Sequence, residues 1–424
     1  MNILMMTNTF SPHVGGVARS IERFSRRYRY LGHHVKVVAP AFDNMPLDEP
    51  DVVRIPAIRH FNHTDFSVVL PIPHILKSAV EDFEPDIIHS HHPFLLGGTA
   101  LRVAHTHSLP LVFTHHTRYE DYTHNMPGNS KWMKRFVKTL ATHYANLCDQ
   151  VFVPSESIQS LIVKRGVTTP VNVVPTGVEL DHFENGSKHL SRIALGLPED
   201  AFVVGHLGRL SQEKNIPFLI TSIIRFLQRN DHFGDTRCLI AGSGPLESMV
   251  RQRFAEADLS ERLHMAGVLT SDDAISEAYH AMDVFAFASR SETQGMVITE
   301  AMAAGVPVVA LDAPGVREVV DSYRNGTLLL TEDVQLFSNA LHDMSRVDAL
   351  EYDRLSRGAR YTAERGSIEF TANTALELYS RLRNYNTAHR VPDYPLWVDA
   401  LHVLRSEMEI FKSTAQSVAE SFEQ

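Results

Sequence analysis

The chain has 424 residues, 44% of them hydrophobic and 21% charged, with a formal net charge of −10. That length provides two or three domains, each with enough chain for its own core, and the composition argues against extended disorder. No apolar run reaches the roughly 18 residues of a membrane span. Two distant cysteines, Cys148 and Cys238, exclude a disulfide scaffold or a thiolate metal cluster, and the negative balance argues against general nucleic-acid binding. The opening MNILMMTNTF has no basic region, long apolar segment or small-residue cleavage site, so no signal peptide is expected and the chain reads as cytoplasmic.

The charge is uneven. Residues 1–200 hold 19 Lys+Arg against 19 Asp+Glu, whereas residues 201–424 hold 21 against 31, and 17 of the 24 histidines fall in the first 200. A neutral, histidine-rich half followed by an acidic half suggests two domains with different partners.

In chain order, short β-rich apolar runs occur at Asn2–Thr7, Val35–Ala39, Ile87–Ser90, Leu111–Thr114, Gln150–Val153 and Val171–Val174. Amphipathic stretches such as Val17–Leu31 and Lys131–Leu147 lie between them. Near residue 186 a polar segment, ENGSKHLSRIALGLPED, interrupts the pattern. The alternation restarts with Phe202–Leu207, Arg237–Ala241, Leu263–Ala266, Val284–Ala288 and Val308–Leu311. Strand–helix alternation dictates parallel sheets with right-handed crossovers. The expected fold is therefore α/β, with two tandem Rossmann-like, doubly wound domains at 1–186 and 187–369 and a cleft between them. The chain beyond about residue 350 reads as helical, and helices over about 370–424 are expected to pack back on the first domain. Ligands of open parallel sheets bind beyond the carboxyl ends of the strands, so the strand-end loops are where chemistry is sought.

Four such loops carry signals. The first strand runs into TNTFSPHVGGVARS, which puts Gly15 and Gly16 just before a helix, where backbone N–H groups can approach an anion; a plain tight turn fits equally well. The second block opens with VVGHLGRLSQEKN, in which Arg209 and Lys214 follow Gly205 and Gly208 and can converge on one polyanion. IAGSGPLE places Gly242 and Gly244 at a strand end, either for close approach of a base or ribose or as a simple turn. The sharpest signal is SRSETQGMVITEAMAAGVPVVA, where Gly295 opens a helix between Glu292 and Glu300. Glu292 then lies in the loop and Glu300 about a turn along the helix, so one carboxylate can accept from sugar hydroxyls and the other from ribose hydroxyls. The amides of Gly295, Met296 and Val297 face a phosphate.

These motifs together, with PTGVEL, resemble the retaining family-4 glycosyltransferases of the GT-B fold, in order over most of residues 1–380. The resemblance implies that Arg209 and Lys214 bind the donor diphosphate with Gly208 in the same loop, Glu300 the ribose and Glu292 the transferred sugar. It implies that Gly16 supplies an amide to the phosphates and that Val268 sits beside the nucleotide base. The sequence contains no Asp-x-Asp clamp, so the leaving group is expected to be stabilised by cations and helix ends without a metal, and no cofactor beyond the nucleotide-sugar donor is expected.

HSHHPF and FTHHT bring His89, His91, His92, His115 and His116 to strand ends. A metal held by His89 and His91 lacks a third ligand at convincing spacing, so packing and hydrogen bonding are the expected duties. By the resemblance His116, followed by Thr117, contacts the donor sugar near its reacting carbon, while His115 occupies a position often aromatic in relatives. The TRYEDYTHNMP string after His116 resembles the branch that glycosylates diacylglycerol or glycosyl-diacylglycerol. It makes Tyr119, Glu120, Asp121, Tyr122 and His124 candidate acceptor residues, with a polar surface loop as the alternative.

On Lys131–Leu147 the residues Trp132, Met133, Phe136, Val137, Leu140 and Tyr144 share one face, and Lys131, Lys134, Arg135 and Lys138 the other. Arg19, Arg23, Arg26 and Arg27 form a similar basic face on Val17–Leu31. Such faces can hold a domain against an anionic leaflet, although any amphipathic helix docked on its own sheet gives the same pattern. The expectation is a metal-independent hexosyltransferase, UDP-glucose to a lipid, peripheral on the inner face of the cell membrane. A soluble sugar, sugar-phosphate or inositol acceptor is the alternative, and an epimerase or phosphorylase on the same fold a further one.

Overall fold

The computed structural model describes residues 1–12, 15–46, 48–58, 68–69, 80–120, 131–229, 234–290 and 292–389. The chain divides into two compact units: Met1–Gly177 together with the chain from Ile368 onward, and Val178–Ser367. The sequence pattern puts the same divisions at 186 and 369. The difference arises because the chain after Val173 runs on as coil, and the polar break that marks the boundary in sequence already belongs to the second unit.

In the first unit the strands are β1 (Asn2–Met6), β2 (His34–Pro40), β3 (Val52–Ile55), β4 (Ala57–Ile58), β5 (Val68–Val69), β6 (Ile87–Ser90), β7 (Leu111–Thr114), β8 (Gln150–Val153) and β9 (Val171–Val173). Seven form a parallel sheet in the order β3-β2-β1-β6-β7-β8-β9, and β4 pairs with β5 as a separate antiparallel ribbon. Alternate residues feed opposite faces. Leu4, Met6, Ile88 and Phe113 enter one core, and Ile3, Met5, Ile87 and Val112 the other. The helix Ile368–His389 closes the second of these cores with Ala372, Ala375, Leu376 and Tyr379, packed beside Tyr28 of the helix Gly16–Tyr30. Residues 390–424 of the expected helical tail lie outside the described residues.

The second unit repeats the plan with β10 (Phe202–Leu207), β11 (Thr236–Ala241), β12 (Leu263–Gly267), β13 (Val284–Phe287), β14 (Val308–Leu311) and β15 (Gly326–Leu329), ordered β12-β11-β10-β13-β14-β15. Its two cores divide in the same way, Val203 and Phe285 on one side, Val204 and Val284 on the other. In both sheets the strand order reverses beside the first strand, between β1 and β6 and between β10 and β13. That reversal is where doubly wound sheets bind ligands.

The continuous basic face expected on the first helix is not present. Arg23 is buried and donates to the Gly177 carbonyl at 3.3 Å, and Arg27 pairs with Glu369 at 3.4 Å, while Arg26 is exposed. Arginine's long stem lets it reach a buried carbonyl from a position that helical periodicity assigns to solvent. On the helix Lys131–Asn146, Lys131 and Lys134 are exposed, Arg135 and Lys138 half-buried, and Val137, Ala141 and Tyr144 buried; the side chains of Trp132 and Met133 lie outside the described residues.

Candidate functional site

In the second unit the switch point lies between the loops that follow β10 and β13. Lys214 Nζ donates to Glu292 Oε2 at 2.9 Å, joining two residues far apart in sequence. Ser289 adds a hydroxyl bond to the Glu213 carbonyl at 3.5 Å. Arg209, in the same loop as Lys214, is exposed. The helix Met296–Ala303 starts at Gly295, whose φ of +78° few other residues adopt, and it has no side-chain cap. Its first-turn amides at Met296 and Val297 lie at the positive end of the helix, four and five residues after Glu292 in the chain. Glu300 is 1% exposed and its Oε2 accepts from the Tyr279 hydroxyl at 3.1 Å.

Gly242 and Gly244 prove to serve the loop's architecture. A Cβ on Gly242 would lie 2.0 Å from the Gly208 carbonyl oxygen, and one on Gly244 2.4 Å from that of Leu210. The Gly208 amide donates to Ala241 O at 2.9 Å and Leu210 N to Ser243 O at 2.9 Å, so the β10 and β11 loops are pressed backbone to backbone. Gly242 N in turn donates to Gly267 O at 2.6 Å, and Val268, next in the chain, stands 54% exposed. Gly315 does the same for the β14 loop, which lies against the backbone of Thr293 and Gln294.

Helix capping separates site from scaffold. Helices beginning at Glu156, Lys188, Asp272, Val334 and Ala349 carry Ser or Asp caps that accept a first-turn amide. Those beginning at Gly16, Leu96, Ile216, Glu247 and Met296 have no side-chain cap. Apart from the short Asp181–Glu184 and Ser260–Arg262, the helices without a side-chain cap follow β1, β6, β10, β11 and β13, the strands at and beside the two switch points.

The first unit's switch point is neutral. Asn8 ties its two loops together: its amide donates to His92 Nδ1 at 3.1 Å, its side-chain NH2 to Phe94 O at 3.0 Å, and its Oδ1 accepts from Leu96 N at 3.1 Å. Gly15 caps the helix Gly16–Tyr30 in extended conformation, and Gly16 is exposed. His116, after β7, meets His91, after β6, with 2.9 Å between His116 Nε2 and His91 Nδ1. His89 is held by the Thr114 hydroxyl at 2.6 Å and the Tyr379 hydroxyl at 2.6 Å. Burial pushes the His89 imidazole down to about 3 and His115 to about 4. It also holds His91 and His116 well below the ordinary histidine range, reinforced by their neighbours, so all four are neutral at pH 7.

Of the candidate acceptor residues, Tyr119 is buried against Phe94 and His115. Glu120 is buried too. Burial raises its carboxyl, but an ion pair with Arg165, aided by Arg118 at 3.7 Å, more than offsets this and leaves it below the ordinary range. Asp121, Tyr122 and His124 lie outside the described residues. His89, His91 and His116 bond to one another or to hydroxyls; among the described residues the ligand atoms that gather closely enough for a metal belong to Glu179, His182 and Asp272.

Sequence reading missed three supports. His206, in β10, has Nδ1 3.0 Å from the Ala286 carbonyl, and burial pushes it down to about 4. Tyr279 holds Glu300, and Tyr379 holds His89 across 290 positions. Nothing local marks such partners, because each is an ordinary helix or strand residue until the fold closes.

Comparison with known proteins matches the chain to two family models. The Glycosyltransferase Family 4 model covers residues 14–182 and the Glycosyl transferases group 1 model residues 187–360. An alpha-monoglucosyldiacylglycerol synthase of Streptococcus pneumoniae is 29% identical over 78% of this chain and 76% of its own. One from Acholeplasma laidlawii is 26% identical over 91% and 98%. A GDP-mannose-dependent alpha-mannosyltransferase of Mycobacterium tuberculosis is 25% identical over 91% and 98%. Among solved structures, sucrose-phosphate synthase of Thermosynechococcus elongatus superposes with a TM-score of 0.73 at 20% identity, covering 90% of this chain and 98% of that one. HepE of Anabaena in complex with UDP-glucose gives 0.68 at 21% identity, covering 90% and 100%.

Proposed function

The chain belongs to glycosyltransferase family 4, with the paired Rossmann-like units of the GT-B fold, and from that premise we propose that it moves glucose from UDP-glucose to a membrane lipid such as diacylglycerol. The transfer retains the anomeric configuration and requires no metal. The observation that carries the donor half is the 2.9 Å Lys214–Glu292 contact beside the uncapped helix at Gly295. A diphosphate is a dianion, and Arg209, Lys214 and the Met296 and Val297 amides are the groups available to take it. Glu292 then accepts from sugar hydroxyls, Glu300 from the ribose, and Val268 lies along the base. From the first unit, His116 meets the donor sugar and the Gly15–Gly16 loop adds an amide to the phosphates.

In the reaction the bond between the anomeric carbon and the diphosphate oxygen breaks. The acceptor hydroxyl oxygen bonds that carbon on the same face, and its proton passes to the departing phosphate. Arg209 and Lys214 stabilise the charge that develops on the leaving group. The lipid acceptor is supported by the two synthases, which align over most of their own length, and by the exposed Lys131 and Lys134 beside the acceptor segment.

The test incubates the protein with labelled UDP-glucose and anionic liposomes containing diacylglycerol, then counts label in the organic phase. Label there is the expected result. Glucose released only into water would retain the donor assignment and remove the lipid. Transfer from GDP-mannose instead would overturn the donor choice, and transfer onto inositol phosphate the acceptor choice.

A further inference from the structure

His91 carries no role in the proposed transfer, yet its Nδ1 lies 2.9 Å from His116 Nε2. Its ring is gripped on both sides. His89 lies 4.1 Å away between centroids at 34°, and His116 5.2 Å away at 24°. His89 cannot drift, because Thr114 and Tyr379 hydroxyls occupy its two nitrogens at 2.6 Å each. Tyr379 belongs to the helix Ile368–His389, so the most distant part of the first unit's sequence braces the ring stack under β6 and β7.

The bond between His91 and His116 needs one donor and one acceptor, since both rings are neutral. Two arrangements are open. Either His91 Nδ1–H donates to a bare His116 Nε2, or His116 Nε2–H donates to a bare His91 Nδ1. The surroundings decide between them. His91 Nε2 is buried and has no hydrogen-bond partner. The second arrangement would put the His91 proton on that nitrogen and bury an unpaired N–H, the rarer and costlier kind of orphan; the first leaves only a bare lone pair.

We propose that His91 is a positioning residue: it donates from Nδ1 to His116 Nε2 and thereby fixes the His116 proton on Nδ1. The inference deepens the reading of His116 as the residue that meets the donor sugar, and it makes His116 a hydrogen-bond donor there. A ring locked in one tautomer and one orientation loses no time in the wrong state. One neutral hydrogen bond of this kind is worth up to about tenfold in rate.

The experiment combines long-range proton–nitrogen NMR on histidine-labelled protein with transfer kinetics for wild type, His91→Phe, His91→Asn and His116→Phe. Wild type should show His116 protonated on Nδ1 alone. His91→Phe keeps an aromatic ring and removes the bond, so His116 should populate both tautomers and kcat should fall by up to about tenfold, with KM for the donor within about twofold. His91→Asn places an amide N–H where Nδ1–H stood and should restore the single tautomer and most of the turnover, which separates a lost bond from a damaged fold. Wild-type His116 protonated on Nε2, or His91→Phe with unchanged tautomer and turnover, would overturn the proposal. Full activity in His116→Phe would instead remove the reading of His116 at the sugar, while the tautomer measurement would still decide the role of His91.

Discussion

The two switch points share strand order and differ in chemistry. In the second unit the reversal beside β10 is ionic and half-open, with Arg209 exposed and Lys214 bonded to Glu292. In the first, the reversal beside β1 is buried, uncharged and built of imidazoles and hydroxyls, His116 on His91, and His89 between Thr114 and Tyr379. The same backbone therefore delivers two kinds of surface to equivalent places. One suits a diphosphate, which needs cations and open amides; the other suits a sugar or an acceptor hydroxyl, which needs fixed neutral donors and acceptors.

The comparison breaks first if the cations are dispensable. Arg209→Ala and Lys214→Ala should each lower kcat by about a hundredfold to a thousandfold, the usual loss when one stabiliser of developing charge is removed. Near-normal label transfer by both variants would show that the charge at this switch point serves some other purpose. Glu300→Gln comes next. It keeps an oxygen for the Tyr279 hydroxyl but removes the charge from a residue that is 1% exposed, so KM for UDP-glucose should rise about tenfold, one strong hydrogen bond's worth, in steady-state assays.

Tyr379→Phe probes the neutral side. It leaves His89 Nδ1 buried without its hydroxyl, a cost of about 1–3 kcal/mol, or roughly 2–10 °C in the melting of the first unit. Calorimetry checks this, and an unchanged transition would mean the network contributes nothing to stability. The smallest effect is pH dependence. A histidine held neutral by burial has a folded pKa below its unfolded value of 6.5, so the unfolded chain binds more protons in that interval. Stability is then complete above about pH 6.5 and is lost as pH falls toward 4, by up to about 1.4 kcal/mol per pH unit for each group. Burial lowers His33, His89, His91, His115 and His116 in the first unit and His206, His264 and His280 in the second, with the strongest shifts concentrated in the first. Between pH 7 and 5 the transition lowered by Tyr379→Phe should therefore fall faster than the other. Parallel shifts would contradict the contrast.

Much of this contrast was legible in the sequence. The strand runs at Asn2–Thr7 and Phe202–Leu207 fall within a residue of β1 and β10, because fully buried parallel strands read as unbroken apolar segments. Strands β3 and β15 escaped. VVRI carries an arginine and is followed by Pro56, and GTLL opens on a glycine, so both are edge strands that lack the signature of a buried one. In the site, Arg209, Lys214, Glu292 and Gly295 stand out because their types and spacing carry the chemistry. Gly242 and Gly244 were visible but ambiguous, and the 2.0 and 2.4 Å approaches of the Gly208 and Leu210 carbonyls show that packing requires glycine at both. The His91–His116 bond joins two strand ends that become neighbours only through sheet order, which no local pattern encodes.

Equilibrium binding of UDP, measured by calorimetry on wild type, Arg209→Ala and His116→Phe in parallel, tests the division of labour most directly. The account predicts that Arg209→Ala weakens UDP at least tenfold while His116→Phe binds it as wild type does, because UDP carries the diphosphate and lacks the sugar. Equal weakening in both variants, or none in Arg209→Ala, would contradict it.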